Sequence, residues 1–359
     1  MANLFIYEQI KDYLTQLVVE NRDNAAYMLP SEQQISQKFH ASRVSVRKAF
    51  SILEEEGAIY RVKGKGTFIQ RGNDMSLLTA KENPSNCFVF IIPEVSSHFV
   101  QDICNGMLAA SKELDRKLLI LSSSNSTQLE RDNISTAMRI NCAGILLMPV
   151  DDNNYNDSIL SLSLSKFPTI FIDRRLYGLN INCVSSDHID IGYNAASYLL
   201  KHNCEHILFL SLSRSISSVR QRLDGYENAL NEHLKGTYRR YILNIEDYMT
   251  KPTELFNMIY NYLQANPQIT GCIAGSGTPA LYLVKALQSL GHTIGKDFEV
   301  VFLDNDSHDI SELLDYNIPT IIQDGTEIGR TAVKMLYNFT FRNKPMSDKM
   351  IPLYKCCDI

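Results

Sequence analysis

Apolar residues near the start of the chain recur at helical spacing in three short stretches. The first stretch predicts a helix of about fifteen residues, with apolar positions at Ile6, Ile10, Leu14 and Leu17. A second helix is predicted to begin at Ser31, because Gln34 follows it at the spacing of a capping box. Ser42 predicts the start of a third helix. The buried side of that helix would carry Val46, Ala49 and Leu53.

Two β-prone runs, residues 58–62 and 67–70, follow the third helix. They flank Lys63-Gly64-Lys65-Gly66, a turn whose glycines permit positive φ, so this stretch predicts a small basic hairpin. Residues 72–86 are poor in large apolar residues and predict a linker.

Beyond residue 86, apolar strands alternate with segments of helical length. Strands are predicted at residues 88–92, 118–121, 144–148, 169–172, 207–210, 238–243, 271–274 and 299–303. Helices are predicted at residues 100–114, 129–139, 158–164, 189–201, 222–234, 256–264, 280–291 and 327–338. Such alternation is typical of parallel strands with helices on both faces. We therefore predict a head over residues 1–71, a linker over 72–86 and an α/β body over 87–359.

Charge is unevenly divided between these parts. The formal net charge of the chain is −5, yet residues 1–72 contain ten Lys and Arg against eight Asp and Glu. Much of this positive charge lies in residues 42–71, where it could hold a polyanion such as DNA. Charged runs of this kind also occur on ordinary solvated surfaces. The order of motifs must therefore decide between a DNA-binding surface and an ordinary solvated one.

Composition excludes several other classes of protein. With 45% hydrophobic and 21% charged residues, the chain is neither disordered nor collagen-like. Its longest apolar run, residues 143–150, is far shorter than the ~20 residues of a membrane span, and the charged N-terminus lacks a secretory signal. We therefore expect a cytoplasmic protein. The eight cysteines form no CxxC pair, and no dinucleotide fingerprint or catalytic motif occurs, so we expect no metal, no cofactor and no enzymatic activity.

The head carries the side chains that a helix-turn-helix uses on DNA. Arg43 and Arg47, four residues apart on the third helix, offer forked donors for guanine or phosphate. Hydroxyls for phosphate oxygens are supplied by Ser31, Ser42 and Ser45.

Several spaced motifs of the head resemble the winged helix-turn-helix of GntR-type bacterial regulators. They are Leu29-Pro30-Ser31-Glu32, Ser42-Arg43-Val44-Ser45-Val46-Arg47-Lys48-Ala49 and Gly64-Lys65-Gly66-Thr67-Phe68-Ile69. The resemblance implies that three residues face the major groove: Arg43, Ser45 and Arg47. It also implies that Ser31 holds a phosphate and that Lys65 and Gly66 act in the wing. Gln33 stands where the family commonly has Arg, which implies a changed operator preference.

Polar residues follow the predicted strands of the body, at the edge where open parallel sheets bind small molecules. Asp173 and Arg174 follow the strand at 169–172, and Asp304 follows the strand at 299–303. Carboxylate and guanidinium groups can each bind two adjacent hydroxyls, so this edge is suited to a sugar. Because the chain has no Trp, Phe or Tyr must cover the apolar face of such a ring.

The body also resembles a known domain, the periplasmic-binding-protein-like effector domain of LacI/GalR-type regulators, which has two lobes. The matching pieces include Phe167-Pro168-Thr169-Ile170-Phe171-Ile172-Asp173-Arg174, Gly225-Tyr226 and Pro319-Thr320-Ile321-Ile322-Gln323-Asp324. The resemblance implies that the ligand is bound by Asp173, Arg222 and Asp304. It further implies that the cleft is lined by Phe99, Arg174, Ser276 and Gln323. Ser276-Gly277-Thr278 departs from the Asn-Asp that the family often has, so its ligand preference is not transferred.

A GntR-type head on this body resembles the arabinose-repressor subgroup. The resemblance implies a homodimeric repressor of carbohydrate-utilisation genes that binds double-stranded operator DNA. Its expected effector is a monosaccharide of the pentose or deoxyhexose class, or a sugar phosphate. One alternative is a cytoplasmic sugar-binding module without an operator. In another, the same residues are only structural: Arg222 pairs with a surface carboxylate, while Asp173 and Asp304 form turns.

Overall fold

A computed structural model describes the chain over most of its length. The described residues are 6–21, 27–55, 58–62, 66–69, 85–95, 97–150, 156–212, 216–236, 238–245, 251–275, 278–304, 317–352 and 355–357. Lys65, Ser276 and residues 70–84, which include most of the predicted linker over 72–86, lie outside them. The chain divides into two compact units, Met1–Ser85 with Thr136–Asn141 and Asn86–Ser135 with Cys142–Ile359. We refer to the elements within residues 6–69 as the head and to the elements from residue 86 onward as the body.

Three helices and a hairpin form the head, as the apolar pattern predicted. The elements are α1 (Ile6–Glu20), α2 (Glu32–Phe39), α3 (Arg43–Glu55), β1 (Ile59–Val62) and β2 (Gly66–Ile69), with β1 and β2 antiparallel. The core of the head includes Ile10, Leu14, Ile35, Val46, Ala49, Phe50 and Leu53. Burial of this side of α3 leaves the side that carries Arg43 and Arg47 exposed.

The body contains two six-stranded sheets. Lobe 1 holds β3 (Cys87–Ile92), β4 (Lys117–Ser122), β5 (Gly144–Leu147), β6 (Thr169–Ile172), β7 (Asn182–Ser186) and β13 (Lys349–Ile351). Lobe 2 holds β8 (Ile207–Leu212), β9 (Tyr241–Ile245), β10 (Gly271–Gly275), β11 (Glu299–Leu303), β12 (Thr320–Ile322) and β14 (Lys355–Cys357). The strand order is β4-β3-β5-β6-β7-β13 in lobe 1 and β9-β8-β10-β11-β12-β14 in lobe 2.

The chain passes from one lobe to the other before two of the helices of the body. The described helices are α4 (His98–Glu113), α5 (Thr127–Arg139), α6 (Asp157–Leu164), α7 (His188–Lys201), α8 (Ser217–Leu234), α9 (Pro252–Ala265), α10 (Thr278–Ser289) and α11 (Gly325–Arg342). α7 follows lobe 1 strand β7 but packs into the core of lobe 2 through Ile191 and Leu199. α11 follows lobe 2 strand β12 but packs into the core of lobe 1 through Ile328 and Leu336. The chain therefore crosses between the lobes at the carboxyl ends of strands in both sheets, where open sheets bind ligands.

The predicted α/β alternation is confirmed, although four short strands escaped prediction. β7 has the polar sequence Asn-Cys-Val-Ser-Ser, yet it is largely buried because it pairs with β6 on one side and β13 on the other. β12, β13 and β14 have three residues each, too few for a hydrophobic period to be recognised. β14 adds an antiparallel pair at the edge of lobe 2, which needs no crossover helix. Within the described residues, no helix is long and apolar enough to cross a membrane.

Candidate functional sites

In the head, the predicted DNA-binding residues of α3 lie at its start and on its outer side. Arg43 and Arg47 are exposed, whereas Val46 between them is fully buried. Ser42 precedes the helix, and its Oγ accepts a hydrogen bond of 3.2 Å from Ser45 N, as an N-cap does. Arg43 forms no hydrogen bond or ion pair with the described residues, so its guanidinium is available for DNA.

Ser31 and Gln34 form the predicted capping box of α2. Gln34 N donates to Ser31 Oγ over 3.3 Å, and Ser31 N donates to Gln34 Oε1 over 2.8 Å. Ser31 and Gln33 are both exposed at the start of this helix. A helix N-terminus favours an anion, so the position suits the phosphate contact predicted for Ser31.

The predicted wing is the hairpin of β1 and β2. Its second strand begins at Gly66, which pairs with Val62 of β1. Gly66 has φ +133, a value that residues with a side chain rarely adopt. A Cβ at this position would lie 2.6 Å from Met28 Sδ. Gly66 therefore uses the conformational freedom that the glycines of this turn provide.

Arg47 takes part in an ion-pair network that the sequence analysis missed. Its Nε lies 3.1 Å from Glu32 Oε2, and Arg61 Nη1 of β1 lies 3.4 Å from the other oxygen of the same carboxylate. Arg61 Nε lies 3.1 Å from Glu54 Oε2. The Arg47 side chain is 69% exposed, so its pair with Glu32 is weak and a phosphate can replace the carboxylate.

In the body, Asp173 and Asp304 occupy matching positions in the two lobes. Asp173 follows β6 and its N–H donates to Val184 O, while Asp304 follows β11 and its N–H donates to Ile321 O, each over 2.9 Å. Both have positive φ, +62 for Asp173 and +72 for Asp304, a conformation that Asp tolerates better than most residues. Both residues therefore have the left-handed backbone conformation common in turns. It does not exclude a binding role, because both side chains also make ionic contacts.

Five side chains from the two lobes form a continuous polar chain: Asp173, His188, Arg222, Asp304 and Gln323. Asp173 Oδ1 lies 3.0 Å from His188 Nε2, and Arg222 Nε donates to His188 Nδ1 over 3.3 Å. Arg222 Nη1 donates to Asp304 Oδ2 over 3.2 Å. Gln323 Nε2 donates to Asp304 Oδ1 over 2.6 Å. The polar chain thus brings together four of the residues predicted to bind the ligand.

Burial strengthens the electrostatic interactions of the polar chain. The side chains of His188 and Asp173 are 0% and 8% exposed, and those of Arg222 and Asp304 are 13% and 18% exposed. Burial by itself raises the pKa of Asp173, but His188, with Arg222 and Arg174, outweighs it and holds that pKa below its usual range. Asp173 is therefore a carboxylate at neutral pH.

Three buried polar atoms of the polar chain have no hydrogen-bond partner among the described residues. They are Asp173 Oδ1, His188 Nε2 and Gln323 Oε1. The first two lie within ion-pair distance of each other but not in line for a hydrogen bond. An unpaired buried polar group costs about 1–3 kcal/mol, so native structures rarely retain one without a reason. Hydroxyls of a bound polyol would supply the missing partners.

Two glycines allow α7 and α8 to approach closely enough to join His188 to Arg222. A Cβ at Gly192 of α7 would lie 1.8 Å from Arg222 O, and a Cβ at Gly225 of α8 would lie 1.9 Å from Ile189 O. Any larger residue would force the two helices apart. The close approach of the helices therefore sets the geometry of the polar chain.

The other described ligand-site predictions, Arg174 and Phe99, lie outside the polar chain. Arg174 is half-buried, and its Nη1 donates to Pro149 O after β5 over 3.3 Å. Phe99 lies in the first turn of α4, half-buried against the core of lobe 1. Next to Arg174, the N–H of Arg175 donates to Ser217 Oγ at the start of α8 over 3.0 Å. This bond is a second direct contact between the lobes.

His188 is the member of the polar chain that the sequence analysis missed. It is the first residue of α7 and follows Asp187, whose side chain caps that helix. Its position directly after a strand, at the carboxyl edge of the sheet, was the available signal. The polar sequence of β7 concealed that strand, so the signal was not recognised.

Comparison with known proteins identifies both parts of the chain. Residues 6–69 match the model of bacterial regulatory proteins of the gntR family, and residues 88–342 match that of the periplasmic binding protein domain. The chain is 23% identical to the arabinose metabolism transcriptional repressor of Geobacillus stearothermophilus, across 92% of this chain and 90% of that protein.

A second relative matches a shorter stretch of the chain at higher identity. This is the transcriptional repressor NagR of Bacillus subtilis, 39% identical over 66 residues, which are 18% of this chain and 27% of the relative. The crystal structure of the transcription regulator CcpA of Lactococcus lactis has a TM-score of 0.64 at 17% identity, covering 76% of this chain and 98% of that chain. The predicted winged helix-turn-helix and the two-lobed binding-protein fold are thereby confirmed.

Proposed function

The chain is a DNA-binding transcriptional regulator that belongs to the periplasmic binding protein domain family and carries a gntR-family head, and we propose that it represses carbohydrate-utilisation genes under the control of a small sugar. The head binds double-stranded operator DNA. Its contact residues are Ser31, Gln33, Ser42, Arg43, Ser45, Arg47, Lys65 and Gly66. We further propose that the protein acts in the cytoplasm as a homodimer, because two symmetric heads match operator half-sites ~34 Å apart.

The observation that supports the sugar site is the polar chain with its three unsatisfied atoms. Asp173 comes from lobe 1, and Arg222, Asp304 and Gln323 come from lobe 2. A carboxylate, a guanidinium group, a second carboxylate and an amide in one continuous array match the donors and acceptors of adjacent sugar hydroxyls. Arg174 and Phe99 of lobe 1, and Ser276, complete the proposed site.

The charges of the polar chain favour a neutral sugar over a sugar phosphate. Asp173 Oδ1 and Gln323 Oε1 are acceptors, and the hydroxyls of either ligand can donate to them, so these atoms do not separate the two ligands. The charge of Arg222 is already shared with Asp304. We therefore propose a neutral pentose or deoxyhexose as the effector.

Regulation would follow from the placement of the site between the lobes. A sugar bound to Asp173 and Arg222 together draws lobe 1 and lobe 2 toward each other. The sugar can change the affinity for the operator only if it binds the two arrangements of the lobes with different affinities. A coupling free energy of about 1–3 kcal/mol between the two sites would change the operator affinity about 5–150-fold. We propose that sugar binding releases the operator, since the relative from Geobacillus stearothermophilus is named a repressor of arabinose metabolism.

A thermal-shift screen followed by operator binding tests this proposal. The screen compares arabinose, other aldoses and deoxyaldoses with their phosphates, and a ligand at a hundred times its Kd should stabilise the body by about 2.7 kcal/mol. Operator binding is then measured with duplexes from upstream of the protein's own gene and its neighbours, with and without the stabilising sugar. We expect sugar to weaken binding to one of these duplexes.

Two substitutions separate the DNA site from the sugar site. Arg47→Ala should weaken operator binding and leave sugar binding intact, because Arg47 lies on the exposed side of α3. Arg222→Ala should abolish the response to sugar and leave the operator bound. A protein that binds sugar but prefers none of the duplexes would instead be the sugar-binding module without an operator.

A further inference from the structure

His188 stands where the chain crosses from lobe 1 to lobe 2. It is the first residue of α7, directly after the crossing from β7, and its side chain is fully buried. One ring nitrogen lies against Asp173 of lobe 1, and the other accepts from Arg222 of lobe 2. No other residue in the described polar chain contacts both Asp173 and Arg222.

The hydrogen bond from Arg222 determines the state of the ring. A guanidinium group has only donors, so the His188 Nδ1 that accepts from Arg222 Nε carries no proton. In a neutral imidazole the proton then lies on Nε2, which faces Asp173 Oδ1 at 3.0 Å. The ring therefore accepts from the arginine through Nδ1, while its Nε2 lies close to the carboxylate without being aligned for a hydrogen bond.

We propose that His188 is a positioning residue that aligns Asp173 and Arg222 for the sugar, an inference that rests on the proposed function. Without the ring, the Asp173 carboxylate and the Arg222 guanidinium would each lose the contact that joins them across the lobe boundary. Neither His188 Nε2 nor Asp173 Oδ1 has a hydrogen-bond partner among the described residues. Asp173 Oδ1 can therefore accept a hydrogen bond from a sugar hydroxyl, while His188 Nδ1 continues to hold Arg222.

The protonation state of the ring can be tested without any ligand. Long-range proton–nitrogen correlation spectra of protein labelled with nitrogen-15 histidine distinguish the two neutral forms and the cation. The signal of His188 is assigned as the one, among eight histidines, that disappears in the His188→Gln variant. We expect the neutral ring to carry its proton on Nε2, because Nδ1 accepts from Arg222. A neutral ring with its proton on Nδ1 would overturn the proposal.

Three substitutions test the positioning role through sugar affinity measured by calorimetry. His188→Leu keeps the bulk of the side chain and removes both polar contacts, so we expect a loss of about 10–100-fold. His188→Asn can keep an acceptor near the position of Nδ1, and His188→Gln can keep a donor near that of Nε2. Each should recover part of the affinity that His188→Leu loses.

The outcomes separate positioning from filling of space. If His188→Leu binds sugar like the native protein, or if the Asn and Gln variants bind no better than Leu, His188 only fills space. Circular dichroism and the thermal midpoint of the body confirm that each compared variant is folded. If the native protein binds no sugar, the proposed function fails by itself, and the ring spectrum still decides whether Arg222 and Asp173 hold His188 in the stated form.

Discussion

The head and the body each join an arginine of one helix to a carboxylate on another element. In the head, Arg47 of α3 pairs with Glu32 of α2, and the Arg47 side chain is 69% exposed. In the body, Arg222 of α8 pairs with Asp304 after β11, and the two side chains are 13% and 18% exposed. The two pairs have nearly the same distance, 3.1 Å and 3.2 Å, so burial is what distinguishes them.

The difference shows how one kind of ion pair can serve two functions. An exposed pair contributes about 0–1 kcal/mol, so Arg47 can leave Glu32 for a phosphate at little cost. When one member of a mostly buried pair leaves, the other member remains as a buried, unpaired charge, which is costly. Arg222 is therefore held in place, as recognition of a sugar of fixed shape requires, whereas Arg47 remains free to adapt to DNA.

The largest expected difference between the two ion pairs is in how much each contributes to the unfolding free energy. Arg222→Met should lower the unfolding free energy of the body by roughly 1.5–3 kcal/mol, because Asp304 and His188 each lose a hydrogen bond from a charged group. Arg47→Met should change the stability of the head by less than about 0.5 kcal/mol. Urea unfolding of each variant measures both values. Equal losses would show that burial does not distinguish the two pairs.

A second prediction concerns the helix contact beneath the polar chain. Gly192→Ala places a methyl group 1.8 Å from Arg222 O, so we expect a loss of about 1–3 kcal/mol and weaker sugar binding. Gly275→Ala is the control, because a Cβ there meets no atom of the described residues within 4 Å. Differential scanning calorimetry compares the two variants. A native-like midpoint for Gly192→Ala would mean that α7 and α8 can separate without cost.

The dependence of stability on pH tests the buried carboxylate. Because the pKa of Asp173 is lowered in the folded protein, its ionised form stabilises the fold above its unfolded pKa of about 3.9. This stabilisation is lost as pH falls through the folded value. The difference in unfolding free energy between the native protein and Asp173→Asn should therefore narrow as the pH falls below about 4. A difference that stays constant below about pH 4 would contradict a lowered pKa of Asp173.

The smallest expected effect is in the head. Glu32→Gln removes the carboxylate that competes with phosphate for Arg47, so operator affinity at low salt should rise about 2–5-fold. The gain should shrink as salt screens the charges. Glu54→Gln is the control, because Glu54 contacts Arg61 and not Arg47 among the described residues. Fluorescence anisotropy with labelled operator measures the operator affinity of both variants. Equal changes in affinity would show that Glu32 does not compete with phosphate for Arg47.

Prediction from the sequence succeeded where the signal is local. The helix over Ile6–Glu20, the capping box at Ser31 and the N-cap at Ser42 depend on neighbours a few residues apart, so their spacing is visible in the chain. Asp173, Arg222, Asp304 and Gln323 were identified through resemblance to a family, and the polar chain brings them together. What the spacing could not reveal is that Arg222 and Gln323 both contact Asp304, and that His188 joins Arg222 to Asp173.

The sequence by itself determined the head, the α/β body and most of the residues that carry charge at the proposed sites. Apolar period, capping residues and motif order depend on positions that are close in the chain. Only the tertiary structure decided that Glu32 holds Arg47, that β7 is a buried strand and that His188 joins Asp173 to Arg222. Those contacts join residues that are distant in the chain. In the body they exist because two sheets and two glycine-packed helices bring the residues to one edge.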